Sequence, residues 1–220
     1  MPMLRLFRRL DGLMENQFAE RGMVAQAFAF AHLNGIRGDY LEFGLWRGRT
    51  FLHAWRMKRL YRLNTMHLWG FDSFAGLPAV EPASKEIWAT GQFACSEPEF
   101  RSILARNGVR PEEFTLVPGF YESSLADALH AAMAGKTAAI VYIDCDLYKS
   151  TVPVLAFLER YLTDGTIVCF DDFYCYRGRP DEGEQRALAE FLEANPAIEF
   201  QRFLTYCPAG QSFIVHRRSG

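Results

Sequence analysis

The sequence has little of what would indicate a disulfide framework or a structural zinc site. Its 220 residues include five cysteines, and no two of these form a C-x-x-C pair. An odd number of cysteines without such a pair predicts neither arrangement. Several of the cysteines fall in apolar runs, where cysteine packs as a small apolar residue. We therefore expect a reducing, cytoplasmic environment.

A strong charge bias and long apolar runs are missing as well. The formal net charge is −2 and the isoelectric point is about 6.2, which argues against binding to bulk nucleic acid or to an anionic membrane. The most apolar early stretch, Val24 to Leu33, is interrupted by Gln26 and His32 and is too short to span a bilayer. We expect a small-molecule partner, neither nucleic acid nor membrane, and leave a homo-oligomer open.

The length and the half-apolar composition predict one domain with a full core. Residues 1–10 are basic and amphipathic but lack the unbroken apolar region of a signal peptide, so a surface helix is expected there. Residues 1–37 are interpreted as N-terminal helices that pack on or cover the core. Residues 38–220 would form that core.

Strand-like and helix-like periodicities alternate along the chain, which predicts an α/β, doubly wound and mostly parallel sheet. The last two strands are close in sequence and are expected to form an antiparallel hairpin. One helix is predicted from Thr151, as its N-cap, to Leu162, with Gly165 closing it. The seven predicted strands are 40–43, 66–71, 114–117, 138–143, 166–170, 198–204 and 212–216.

Acidic residues follow two successive predicted strands. Asp144-Cys145-Asp146 ends the apolar run 138–143, and Asp171-Asp172 ends the run 166–170. Ligands of parallel sheets bind off the carboxyl ends of the strands, where these side chains would meet. Gathered carboxylates repel one another unless a cation lies between them, and oxygen ligands suit Mg²⁺. Helix capping and loop solvation are the alternative, and we favour the metal.

The turn after the first strand, Leu41 to Gly48, is the predicted cofactor site. Gly44 directly after the strand allows a tight turn and close approach of a ligand to the backbone. The turn is not G-x-G-x-x-G, because Leu45, Trp46 and Arg47 are too bulky to cradle a pyrophosphate. A nicotinamide-dependent dehydrogenase is therefore disfavoured, and a compact ligand without phosphates is favoured.

Residues at the ends of the second and third strands extend this site. Asp72 is placed to accept hydrogen bonds from a ribose diol, with a turn or helix cap as its alternative role. Gly119 and Phe120 follow the third strand and could border an adenine ring; alternatively, Phe120 is a core residue. A long loop, 73–96, starts beside Asp72 and is expected to cover the site. Together these features describe a class I S-adenosylmethionine-dependent methyltransferase of the Rossmann-like type.

Four strings of the chain resemble the macrocin O-methyltransferase family (TylF/MycF type). They are Gly38 to Gly48, Phe71 to Pro78, Ile143 to Thr151 and Phe170 to Phe173, in the family's order. The similarity extends over residues 20 to 215. The family methylates sugar hydroxyls on macrolide and related antibiotics, so the resemblance implies a sugar O-methyltransferase that uses S-adenosylmethionine and Mg²⁺.

The resemblance also implies roles for individual residues. Asp144, Asp171 and Asp172 would hold Mg²⁺, and Asp144 would in addition act as the general base. Glu42 is expected near the methionine amino group of the cofactor. The predicted cofactor-binding residues are Glu42, Phe43, Gly44, Leu45, Trp46, Asp72, Ser73, Gly119 and Phe120.

Two other functions stay open at this point. A catechol-type phenol O-methyltransferase would use the same fold and metal on a planar diol. A non-catalytic module that only binds S-adenosylmethionine is the other alternative, and the presence of all three aspartates disfavours it. A flat aromatic pocket would favour the phenol, whereas a wide polar cleft would favour a sugar.

Overall fold

The computed structural model describes residues 20–81 and 84–218. The surface helix predicted for residues 1–10, and the part of the predicted N-terminal helices before residue 20, therefore lie outside the described residues. Helix α1 occupies 20–33, and its buried residues Val24, Ala27 and Phe28 belong to the main core. Among the described residues, no helix is both long and apolar enough to cross a membrane.

A seven-stranded sheet organises the chain, in the order β3-β2-β1-β4-β5-β7-β6. The first five strands are parallel, and β7 pairs antiparallel with both β5 and β6. The predicted doubly wound sheet with a C-terminal antiparallel hairpin is confirmed. The strands are β1 (Asp39–Phe43), β2 (Leu68–Asp72), β3 (Phe114–Pro118), β4 (Ala138–Ile143), β5 (Leu162–Phe170), β6 (Ile198–Tyr206) and β7 (Gly210–Arg217).

Helices cover the sheet on both sides. The middle strands β1 and β4 are buried along their whole length, as expected for parallel strands with helices on both faces. One core layer packs under α1, α2 and α3, and the other under α6 and α7. The helices after α1 are α2 (Arg49–Leu60), α3 (Glu97–Arg106), α4 (Tyr121–Ser124), α5 (Asp127–Ala132), α6 (Tyr148–Leu158) and α7 (Gly183–Ala194).

The helix between the two acidic clusters differs from its prediction. It starts at Tyr148 with the extended Leu147 as its N-cap, so it follows the first acidic cluster at once. Thr151 lies inside the helix, where its hydroxyl donates to the Leu147 carbonyl at 3.0 Å. Gly165 does not close the helix but lies within β5, beside a register shift in the pairing of β4 with β5. The pairing of β5 with β4 thus determines the structure at Gly165, although Asp164-Gly165 is a typical turn sequence.

The residues that follow the parallel strands continue the backbone ladder. Each donates its backbone N–H to the carbonyl of a residue at the end of a neighbouring strand. These residues therefore lie side by side along the carboxyl ends of the parallel strands. The bonds are Gly44 to Phe71 at 2.9 Å, Gly119 to Asp72 at 2.9 Å, Asp144 to Phe43 at 2.8 Å and Asp171 to Ile143 at 2.9 Å.

We predict that Gly44→Ala destabilises the protein far more than Gly135→Ala. Gly44 has a φ of 89°, and a Cβ there would lie 1.9 Å from the backbone oxygen of Asp144. Gly135 has a φ of 73° with open space around it, so its substitution carries only the conformational cost of about 1 kcal/mol. Urea unfolding should show a loss at Gly44 of at least about 2 kcal/mol more than at Gly135. Equal losses would contradict the close approach of the two strand ends.

Candidate active site

A cavity of about 270 Å³ opens at the carboxyl ends of the parallel strands. One wall comes from the strand ends and another from the segment after β2, which contributes Leu77, Trp88 and Phe93. The cavity therefore brings predicted cofactor-binding residues together with the predicted metal ligands. The predicted site residues that line it are Gly44, Trp46, Asp72, Ser73, Gly119, Phe120, Asp144, Asp171 and Asp172.

Three carboxylates converge on one side of this cavity. Asp144, Asp171 and Asp172 each place one carboxylate oxygen within 4.8 Å of the others. The Tyr142 hydroxyl donates to Asp171 Oδ1 at 2.5 Å, and the Cys175 thiol donates to Asp172 Oδ1 at 3.2 Å. Asp172 Oδ2 is buried and has no hydrogen-bond partner among the described residues. A buried, unpartnered carboxylate oxygen beside two further carboxylates fits a hard divalent cation.

The electrostatics of the cluster agree with that fit. Burial, and next the negative charge of Asp171, raise the pKa of Asp144 well above its usual range. The same two causes raise the pKa of Asp172 to about 7. Without a cation the clustered carboxylates therefore hold protons more tightly than isolated carboxylates do. A divalent ion would reverse this preference, because it stabilises the ionised forms.

Two acids for which no individual role was predicted, Asp146 and Glu184, belong to the same cluster. Asp146 is buried at a φ of 61° and lines the cavity, and burial followed by the charge of Asp172 raises its pKa. Glu184 in the first turn of α7 accepts the Asp172 N–H through Oε2 at 3.2 Å, and its Oε1 is buried without a partner among the described residues. The D-x-D spacing signalled Asp146. A first-turn glutamate is too common to have signalled Glu184.

Asp72 ties together the turns on either side of it. Its Oδ2 accepts the N–H groups of Leu45 at 2.7 Å and Trp46 at 3.2 Å, and its Oδ1 accepts the N–H of Phe74 at 2.6 Å. These are the contacts of a turn cap, which was the alternative role for this residue. Asp72 also lines the cavity, so its contact with a ribose stays a prediction.

The side chains of Glu42, Phe43 and Leu45 lie outside the cavity wall. Glu42 is fully buried, and its carboxylate accepts hydrogen bonds from the hydroxyls of Tyr40 and Thr50. Phe43 stacks on Phe71 in the core at 4.3 Å between ring centroids. Glu42 and Phe43 lie on the central strand β1, whose side chains alternate between two covered faces of the sheet. Leu45 follows this strand and is buried in the core. The structure thus gives no support to direct cofactor contacts through these three side chains.

Aromatic rings border the mouth of the cavity. Trp46 is 43% exposed and meets Phe93 edge-to-face at 5.5 Å, and Phe93 in turn meets Trp88 at 6.1 Å. Phe120, beyond β3, is also exposed. Trp46 lies in the turn after β1 and has a φ of 40°. The cavity therefore combines a carboxylate floor with an aromatic rim.

Comparison with known proteins adds to this geometry. A family model described as Macrocin-O-methyltransferase (TylF) matches residues 22–195. The chain is 28% identical over 162 residues to the 8-demethyl-8-(2,3-dimethoxy-alpha-L-rhamnosyl)-tetracenomycin-C 4'-O-methyltransferase of Streptomyces olivaceus, covering 66% of this chain and 60% of that protein. It is 26% identical over 151 residues to mycinamicin III 3''-O-methyltransferase of Micromonospora griseorubida, covering 64% and 57%. The chain thus matches 60% or less of the length of these relatives.

Solved structures share the fold. The O-methyltransferase NovP superposes with a TM-score of 0.73 at 22% identity, over 91% of this chain and 79% of that one. The calicheamicin methyltransferase CalS11 gives a TM-score of 0.73 at 24% identity, over 90% and 79%. At this level of identity the likeness concerns the architecture alone.

We predict that the stability of the metal-free protein falls as the pH rises, in part through Glu42. Burial raises the pKa of Glu42 to about 8, against a usual 4.5. The folded state then binds a proton that the unfolded state has lost, so this stabilisation is complete below pH 4.5 and disappears as the pH rises through about 8.

Glu42→Gln should therefore make the fall of the unfolding free energy with rising pH less steep between about pH 5 and 7.5, by up to about 1.4 kcal/mol per pH unit. Urea titrations in the presence of a chelator measure this slope. Glu193→Gln, at an exposed side chain of α7, is the matched control and should leave the slope as in the wild type. A Glu42→Gln slope equal to the wild-type slope would show that Glu42 is ionised in the fold.

Proposed function

The chain belongs to the macrocin O-methyltransferase (TylF) family, and on that premise we propose that it transfers a methyl group from S-adenosylmethionine to a hydroxyl of a sugar or glycosylated natural product. The observation that carries the proposal is the convergence of three carboxylates on a cavity that is also lined by Gly44, Asp72 and Gly119. The named relatives are O-methyltransferases of a rhamnosyl tetracenomycin and of a mycinamicin.

The cofactor is proposed to lie across the ends of β1, β2 and β3. Gly44 and Gly119 line the cavity there, and the exposed rings of Trp46 and Phe120 would flank the adenine of the cofactor. Asp72 and Ser73 would accept the ribose hydroxyls. The packing of residues 20–33 on the core supports the proposal that the N-terminal helices, 1–37, pack on or cover the core of a single domain.

Asp144, Asp171 and Asp172 are proposed to hold Mg²⁺. Such an ion supplies a positive charge that orients the oxygens of an acceptor and lowers the pKa of its hydroxyl. The protein's own part is to take up the hydroxyl proton. Asp144 is the proposed base, and Asp146 is a second candidate, because it is buried in the same cavity and has a raised pKa.

Alignment and exclusion of water are the other tasks of the chain. Methyl transfer is an in-line displacement, so the acceptor oxygen, the methyl carbon and the sulfur must be held on one line. The segment after β2 contributes Leu77, Trp88 and Phe93 to the wall. These apolar groups support its proposed role as a cover that keeps water from the reacting atoms.

A catechol-type phenol O-methyltransferase is the second candidate function. The observation that favours it is the aromatic rim formed by Trp46, Trp88 and Phe93, against which a planar diol could stack. A screen of glycosides and catechols for methyl transfer in the presence of Mg²⁺ separates the two candidates. Methylation of catechols alone would replace the sugar proposal. A non-catalytic cofactor-binding module is disfavoured by the intact carboxylate cluster.

We predict that Asp72→Asn weakens binding of S-adenosylhomocysteine by about ten- to a hundredfold, corresponding to about 1–3 kcal/mol for loss of a charged acceptor. Calorimetric titration measures the affinity. Asp72 also caps two turns, so the thermal midpoint of the variant is recorded in parallel. Asp164→Asn, outside the cavity lining, serves as the control variant. An affinity equal to that of the wild type would remove Asp72 from the cofactor site.

We predict that activity needs a divalent ion and that the three aspartates differ in how Mg²⁺ rescues them. Asp171→Asn and Asp172→Asn remove ligands only, so high Mg²⁺ should restore part of the rate. Asp144→Asn removes the proposed base, whose contribution is typically about 10²- to 10⁴-fold, and excess metal cannot replace it.

Initial rates over a Mg²⁺ titration, with a chelator as the zero point, provide the measurement. Methyl transfer that persists in the chelator would refute the metal proposal. If all three variants recover equally, Asp144 is a ligand without the base role, and Asp146→Asn becomes the variant to compare.

A further inference from the structure

A buried tyrosine hydroxyl links the acidic floor of the cavity to its wall. Tyr176 lies after β5, and its hydroxyl is 3.0 Å from the carbonyl oxygen of Asp146 and 3.1 Å from the hydroxyl of Ser84. Both Tyr176 and Ser84 are buried. Since a hydroxyl has one proton to donate, Tyr176 donates to the carbonyl of Asp146 and accepts from Ser84.

The backbone on both sides of this link is strained. Asp146 has a φ of 61°, and Tyr176 and Arg177 each have a φ of 60°. The left-handed region costs a residue with a Cβ about 1–2 kcal/mol, and such strain persists only where surrounding contacts enforce it. The bond from Tyr176 to Asp146 joins two of these strained positions directly.

Packing around the ring is equally specific. A Cβ at Gly183 would lie 2.7 Å from the ring of Tyr176, so only glycine allows the ring this position. Gly183 immediately precedes Glu184, whose carboxylate accepts the Asp172 N–H. The ring of Tyr176 therefore packs against the start of α7, and Glu184 in the first turn of this helix binds the backbone of Asp172, one of the clustered aspartates.

Ser84 anchors the opposite end of the link. Its carbonyl accepts the N–H groups of Ile87 at 3.0 Å and Trp88 at 2.9 Å, which closes a turn at the start of the segment 84–93. That segment carries Trp88 and Phe93 to the cavity wall. A displacement of Ser84 would thus move the wall relative to the carboxylates.

We propose that Tyr176 is a positioning residue: its hydroxyl holds Asp146 in the left-handed conformation that turns this carboxylate into the cavity, and through Ser84 it fixes the wall segment 84–93. The effect of this link on reaction rate rests on the proposed function. The effect of the link on the backbone at Asp146 and in the segment 84–93 does not depend on the proposed function.

The test uses Tyr176→Phe, which removes the hydroxyl and keeps the ring against Gly183. Tyr174→Phe is the matched control, because Tyr174 lies two residues away and its hydroxyl contacts Gln211 and Arg202 instead. Hydrogen exchange of the 220-residue chain should be at least about tenfold faster in Tyr176→Phe for peptides covering 84–93 and 144–148. Tyr174→Phe should match the wild type in both peptides, and Ser84→Ala should accelerate 84–93 only. Unchanged exchange in Tyr176→Phe would overturn the proposal.

Kinetics provide the second readout. In Tyr176→Phe we expect kcat to fall about ten- to a hundredfold, since small displacements of reacting groups are costly, while KM for S-adenosylmethionine stays within about twofold. Equal kcat values for Tyr176→Phe and Tyr174→Phe at equal thermal midpoints would overturn the positioning role. If the wild type transfers no methyl group to any acceptor tested, the proposed function fails, and the exchange data alone decide the role of Tyr176.

Discussion

Crowding of carboxylates at the ends of β4 and β5 is the constraint on which the rest of the site depends. Asp144, Asp171 and Asp172 reach one another because each follows a strand whose backbone pairing is already fixed. The energy that holds them there comes from the buried sheet, and the carboxylates themselves oppose it through mutual repulsion and desolvation. A cluster built in this way is costly until a proton or a cation neutralises it. That cost is a physical reason to expect a ligand at this edge of the sheet.

Neighbouring groups moderate this repulsion without removing it. Burial raises the pKa of Asp171, while the hydrogen bond from Tyr142 and the charge of Arg49 act in the opposite direction. Arg49 is the one cationic side chain among the described residues that line the cavity, and it also pairs with Glu20 of α1. The helix before β1 is thereby connected to the acidic cluster through an ion pair. This contact gives α1 a structural role at the site as well as in the core.

Sequence patterns were sufficient for the features that depend on backbone position. The strand ends, the glycine turn at Gly44 and the acidic edge follow from periodicity and from the geometry of parallel sheets. Sequence patterns did not predict the features that depend on the direction of a side chain or on contact between distant parts of the chain. Glu42 lies on a strand covered on both faces, so its proximity to the turn did not place it in the cavity. Tyr176 and Ser84 meet across a separation of 92 residues, and no local signal marks such a pair.

Asp72 illustrates how one carboxylate can serve both architecture and binding. A carboxylate offers about four acceptor positions, and three of those at Asp72 are used by the N–H groups of Leu45, Trp46 and Phe74. Oδ2 is then fully engaged, which leaves room for one further donor on Oδ1. The hydroxyl of Ser73 donates to the Gly76 carbonyl at 2.8 Å and accepts from the Ala75 N–H at 3.1 Å, so it also retains a single acceptor position. A ribose diol would therefore find two single acceptors on neighbouring residues rather than one bidentate carboxylate, unless the turn bonds of Asp72 are given up on binding.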